Sequence, residues 1–172
     1  MHYMDTLQAL FTRRSIRQYQ SKPVPSEVVT QALKAAMSAP SAGNEQAWQF
    51  IVLDQRSLLD AVPAVHPHSK MITQVSVAVL VCGDLRRETH PGYWTQDCAA
   101  ATMSLLLAVH AQGYGAVWLG VYPRNDRVQG LRRLLGVPEE VIPFALVPIG
   151  RPAESKGAED RFDPTRVHYN QW

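Results

Sequence analysis

Apolar runs of two lengths alternate along the chain, and the lengths separate strands from helices. Residues 48–53 (WQFIVL), 75–84 (VSVAVLVCGD), 115–122 (GAVWLGVY) and 141–150 (VIPFALVPIG) are short and rich in β-branched or aromatic residues, which predicts four strands. The run at 75–84 has almost no polar alternation, as expected of a central strand buried on both faces. Helical spacing fills the intervals. Val28, Val29, Ala32, Leu33, Ala36 and Met37 recur at i, i+1, i+4, i+5 and predict an amphipathic helix from Ser26, a candidate N-cap, to Ala39, ahead of Pro40. Residues 95–112 predict a long helix with little polar face, stopped by Gly113 and placed in the core or at a subunit interface. A short helix is expected over 4–14, closed by the prolines of SKPVP. Another short helix is expected after residue 53, and one over 125–136, with Asn125 as candidate cap and Gly136 as stop. Strands mixed with helices predict an α/β or α+β layer with helices on both faces of one sheet.

Size and composition narrow the class. At 172 residues with 46% apolar and 19% charged positions, the chain suits one ordered domain over 1–172. The net charge of +2 is too small for a general nucleic-acid binder. Cys82 and Cys98 lie in apolar surroundings and read as buried thiols of a reduced compartment. With no N-terminal h-region and no apolar run of bilayer length, the expected location is cytoplasmic, with no membrane partner.

Familiar chemical motifs do not fit. Gly113, Gly115 and Gly120 follow a helix and precede a strand, the reverse of a dinucleotide turn, and no Walker A pattern is present. His66 and His68 have no partner at metal-ligand spacing, so no metal is expected. Ser41 sits in a polar loop with no nucleophile elbow or evident base, and Arg132 and Arg133 read as a solvated helix face. What remains is FTRRSIRQY, residues 11–19, with Arg13, Arg14 and Arg17 around Ser15. One arginine there would suit a helix C-terminus. Three with a hydroxyl favour an anion, because guanidinium binds phosphate in bidentate fashion.

With that segment in view, the chain resembles the FMN-dependent nitroreductase family. The likeness rests on RRSIRQY, APSAGNEQAWQFIVL, QDCAAATMSLLLAVHAQGYGAVWLGVYP, VPIGRP and the closing RFDPTRVHYNQW, in that order from about residue 5 onward. The resemblance implies an α+β fold of three α/β/α layers, with a central mixed, mainly antiparallel sheet, in an intertwined homodimer binding FMN at the subunit interface. It assigns Arg13, Arg14 and Ser15 to the phosphate and ribityl chain. Arg17 goes to the pyrimidine edge, where a cation stabilises reduced flavin. Pro40, Ser41 and Ala42 would come from the partner subunit, with Asn44 close by. Leu119, Gly120 and Val121 would pass near the ring, Arg161 would complete the phosphate site, and Lys70 would lie at the flavin's polar edge.

The implied activity is ping-pong hydride transfer from NADH or NADPH through FMN to a nitroaromatic, quinone or similar small acceptor. Flavin carries such chemistry itself, so no catalytic acid, base or nucleophile is needed. Ala47 stands where the family often has Pro, and is expected to loosen the strand entry. VYP after Gly120 lacks the glutamate of larger members, and no long helical insertion is evident. His90, Tyr93 and Trp94 are candidate pocket-lining residues, with interface packing as the favoured role. The tail aromatics Tyr169 and Trp172 suggest docking across a partner. The alternatives are an FMN-binding protein with a sensing or structural role, or a different flavin reaction on the same scaffold.

Overall fold

A computed structural model describes residues 4–172. Among these residues five α-helices surround five strands: α1 (Thr6–Thr12), α2 (Ser26–Met37), β1 (Trp48–Leu53), α3 (Arg56–Ala61), β2 (Val77–Asp84), α4 (Trp94–Ala111), β3 (Gly115–Ala116), β4 (Leu119–Gly120), α5 (Asn125–Leu135) and β5 (Val141–Gly150). The sheet order is β1-β2-β5-β3, with β4 also on β5. Each of these four ladders is antiparallel. Among the described residues the parallel element is a single bridge, Ser15 to Ala116.

β2 is buried along its whole length, as its apolar run predicts. Its alternation feeds two cores. Val77, Val79 and Val81 face α2 and α4, whereas Ala78, Leu80 and Cys82 face the side of α3 and α5. That is the three-layer α/β/α arrangement, with β2 and β5 as the shared spine.

Several local expectations are corrected. The stretch 115–122 forms two strands of two residues instead of one, because β3 pairs with Ile149 and Gly150 while β4 pairs with Ala145 and Leu146. Pro148 lies in the gap, and a residue without an N–H cannot complete the ladder there. Ser26 is the first helical residue, not the cap, and α2 ends at Met37 rather than Ala39. Arg124, not Asn125, takes the cap position of α5, and it makes no side-chain cap bond. Gly113 and Gly136 do end their helices, at φ 80° and 64°. Ala47 does not loosen β1. It is fully buried, and its carbonyl accepts from Asp84 N at 2.7 Å. Arg132 is not solvated throughout, since it donates to Pro138 O and its Nε is buried. No helix of the described residues is long and apolar enough to cross a membrane.

Candidate functional site

The arginines stand on extended chain just past a helix. Asp5 caps α1, its Oδ1 accepting from Leu7 N at 2.9 Å and Gln8 N at 3.3 Å. The helix stops at Arg13, and the following residues run along the sheet, with Ile16 N bonded to Ala116 O at 3.0 Å.

Arg13 is half-buried, and its Nε is buried with no hydrogen-bond partner. Burial, then the charges of Arg14 and Arg161, hold its guanidinium below the usual arginine range. Like charges are therefore gathered here, with the carboxylates of Glu159 and Asp160 on the same rim. They edge a hollow of about 640 Å³ whose lining includes Leu10, Phe11, Arg13, Arg14, Arg161 and Phe162.

The members of this cluster are tied down differently. Arg14 is a clamp as well as a lining residue. Its Nε donates to Gly157 O at 3.0 Å, and its Nη1 to Phe11 O at 3.0 Å and Arg13 O at 2.7 Å. Arg161 pairs with Glu159, Nε to Oε2 at 2.8 Å. The tail also grips the arginine segment. Lys156 Nζ donates to Ser15 O at 2.7 Å, and Glu154 Oε1 accepts from Arg17 N at 2.5 Å and Gln18 N at 3.2 Å. The Arg17 N–H is the main reason the Glu154 carboxyl sits below its ordinary value. The Arg17 guanidinium itself is exposed, with no side-chain partner recorded among the described residues.

His110, near the end of α4, lies beneath the cluster. Thr12 Oγ1 donates its hydrogen to Gln8 O at 2.6 Å, so His110 Nε2, 2.8 Å from the same hydroxyl, must be the donor. Burial, then Arg13 and Arg14, hold this imidazole below the usual histidine range.

Leu119, Gly120 and Val121 occupy another part of the sheet. Leu119 and Val121 are buried, while nothing lies within 4 Å of where a Gly120 Cβ would stand. The Gly120 carbonyl accepts from His66 Nε2 at 3.0 Å and Arg127 Nη1 at 2.7 Å. His66 thus carries its hydrogen on Nε2, leaving Nδ1 buried and unpartnered. Burial keeps it below the usual histidine range, and neighbouring Arg127 adds to this. Lys70 begins a 3-10 turn four residues beyond His66, and is exposed.

Pro40, Ser41 and Ala42 line a separate hollow of about 390 Å³ with Tyr93, Gln96 and Asp97. It shares no residue with the arginine hollow. Its loop is conformationally unusual: Gly43, Asn44 and Gln46 have φ of 53°, 58° and 50°. Ser41 Oγ accepts from Gln46 N at 3.1 Å, and Asn44 Oδ1 from Gln46 Nε2 at 2.9 Å. His90 packs on Gly43 and Tyr93 lines the hollow, but Trp94 is a core residue. Its ring fills the space left by Gly83 and meets Tyr122 and Phe144 edge-on at 4.9 and 5.9 Å.

One chain therefore brings Arg13, Arg14 and Arg161 together, and Pro40, Ser41 and Ala42 together, as distinct surfaces. Sequence reading missed His66, Arg127, His110, Glu45 and Asp97. Only Asp97 left a signal, as a single carboxylate inside the apolar run of α4.

Comparison with known proteins gives a consistent result. The family model described as "Nitroreductase family" matches residues 10–81 and 68–151. A Methanothermobacter thermautotrophicus protein, provisionally named NADH dehydrogenase/NAD(P)H nitroreductase, is 51% identical over 169 residues, covering 98% of this chain and 88% of that protein. A Bacteroides thetaiotaomicron crystal structure with the same provisional name has a TM-score of 0.93 at 39% identity, covering 97% of this chain and 98% of the other. A Desulfovibrio desulfuricans structure, described as a provisional nitroreductase in complex with FMN, has a TM-score of 0.84 at 28% identity and covers 99% of both chains. The likeness extends over both cores and both candidate surfaces, and the chain belongs to the nitroreductase family.

Proposed function

We propose that this nitroreductase-family oxidoreductase holds FMN with Arg13, Arg14, Ser15 and Arg161 at the phosphate end and Arg17 at the pyrimidine edge. The observation that carries the reading is the Arg13 guanidinium, half-buried among like charges with an unpartnered Nε. Such a group is costly unless an anion joins it, and a phosphate supplies several acceptor oxygens at once. Gly120 fits the other end of the ligand. The open space above it admits a flat ring, while His66 and Arg127 draw its carbonyl back toward the protein.

FMN, when bound, supplies the redox chemistry, taking a hydride from NADH or NADPH and then passing electrons to a small acceptor such as a nitroaromatic or quinone. The chain's own task is binding and charge. Arg17, free of side-chain partners among the described residues, offers a cation to the electron-rich edge. Lys70 is assigned to the same polar edge.

Pro40, Ser41, Ala42 and Asn44 act from a second copy of the chain. Their separation from the arginine hollow supports this, as do the apolar groups that one chain leaves uncovered. Leu7, Leu10 and Phe11 of α1 and Met103 of α4 are exposed, and Phe162, Tyr169 and Trp172 of the tail are 75%, 83% and 100% exposed. A homodimer with crossed tails covers such surface. Residues 1–172 form one FMN-binding unit in this reading.

The test is anaerobic reduction of the FMN-loaded protein. NADH or NADPH bleaches the flavin absorbance, and addition of a quinone restores it. If neither nicotinamide bleaches a protein that retains FMN, the oxidoreductase reading fails and a binding role takes its place.

A further inference from the structure

Glu45 and Asp97 have no part in the chemistry above, yet they are the two carboxyls buried where the Pro40–Asn44 loop meets α4. They are 7% and 3% exposed. Half of their oxygens are satisfied. Asp97 Oδ1 accepts from Ala42 N at 3.0 Å. Glu45 Oε2 accepts from Thr89 N at 2.7 Å, His90 N at 3.0 Å and Thr89 Oγ1 at 3.1 Å. Glu45 Oε1 and Asp97 Oδ2 are buried with no donor, and the two side chains lie within hydrogen-bonding reach of each other. No ion pair recorded among the described residues includes either carboxyl. Two bare carboxylates this close together and away from water repel, whereas one proton between them makes a short, charge-assisted hydrogen bond.

We propose that Glu45 and Asp97 share one proton and act as a positioning pair, tying the loop that carries Pro40, Ser41, Ala42 and Asn44 to the first turns of α4. The loop's relevance to FMN rests on the function proposed above; the shared proton does not. The loop needs such a tie, because it holds two non-glycine residues at positive φ that relaxed backbone would abandon.

The other titratable groups nearby leave the pair to itself. Cys98, the next residue on α4, is a buried thiol pushed up from its ordinary value, chiefly by burial. Asp84, at the end of β2, is ion-paired with Arg86 at 2.8 Å. Arg87 Nε donates to Gln46 O at 3.1 Å, Glu88 Oε1 accepts from Gly92 N at 2.5 Å, His90 covers Gly43, and Tyr93 lines the hollow.

The direction of titration follows. Burial pushes Asp97 up and Glu45 adds to it, against the N–H of Ala42 and Ala47. Burial also works to raise Glu45, but Thr89, His90 and Asp97 together hold it below its ordinary value. The proton therefore resides on Asp97. A raised carboxyl stabilises the fold below its unfolded value and loses that contribution as pH rises through the folded one. A lowered carboxyl stabilises above its unfolded value and loses that contribution as pH falls through the folded one. The tie holds between these limits and is released on the alkaline side when Asp97 ionises.

The experiment combines infrared spectroscopy of the full chain with thermal melts against pH, both without flavin, and FMN titrations over the same range. At a pH inside this window the parent shows a protonated-carboxyl C=O stretch that Asp97→Asn lacks. Going alkaline, the parent's melting midpoint falls and its FMN dissociation constant rises by about tenfold, the equivalent of one unit of carboxyl titration. Asp97→Asn removes both trends in that range, because its amide donates the same hydrogen bond with no charge to lose. Glu45→Gln does the same from the other side, so failure of one variant to fold leaves the other to decide. Absence of the carboxyl band throughout that window overturns the proposal, as does an alkaline decline in both variants that tracks the parent. A band and midpoint that behave as expected in a protein that never binds FMN would uphold the pair and remove the flavin reading instead.

Discussion

Replacing Arg13 with alanine should separate ligand binding from stability, because this guanidinium is a liability until an anion arrives. Without ligand, Arg13 bears a charge in a half-buried place, beside Arg14 and Arg161, with Nε unpartnered. An unsatisfied buried donor costs about 1–3 kcal/mol, and the aliphatic stem returns part of that through packing. The alanine variant's ligand-free melting temperature should hold level or rise, by about 2–4 °C for each kcal/mol recovered in a chain of this size. With FMN the sign reverses. Losing charge-assisted hydrogen bonds to phosphate costs about 2–3 kcal/mol, or about 30- to 160-fold in the dissociation constant. Flavin fluorescence quenching measures the affinity and differential scanning fluorimetry the stability. The control is Arg133→Ala, an exposed arginine of α5; Arg132 would be a poor control because it supports Pro138 O. If the two alanine variants bind FMN within about threefold of each other, the cluster is not the phosphate site.

Two other outcomes follow from neighbouring groups. His110 is held below its ordinary value by burial and then by Arg13 and Arg14, so its contribution to stability is present above the unfolded value of about 6.5 and is lost as pH falls through the folded one. A bound phosphate offsets the arginine charges and lets His110 rise, so FMN binding near pH 6 takes up protons; calorimetry in buffers of different ionisation heat detects this, and equal heats for the parent and His110→Gln would refute it. Gly43→Ala must place its Cβ 2.3 Å from His90 Nε2 at φ 53°, so its melting temperature should drop by several degrees. Adding His90→Ala relieves the clash and leaves about 1–2 kcal/mol of backbone cost, whereas a double-mutant cycle with no coupling would show that the contact is not felt.

Periodicity and local chemistry made much of this protein legible in one dimension. A run such as residues 75–84 has one low-energy destination, a strand covered on both faces, and the stripe on α2 has to face a core. The excess charge at 13–17 raised the expectation of an anion, because clustered guanidiniums call for an opposing charge. What the chain could not reveal locally depends on partners brought from far away. Arg161 joins Arg13 only because the tail folds back along the arginine segment through Glu154, Lys156 and Arg14. Strand pairing alone puts Pro148 opposite Val117 and cuts the third predicted strand in two. His66, in sequence only a histidine without metal-ligand partners, becomes a support for Gly120 once the segment before β2 packs under β4. Glu45 and Asp97 lie 52 positions apart in separate elements. Burial against each other makes them a pair, because a charge's cost depends on the dielectric and neighbours around it, and those exist only in the folded molecule.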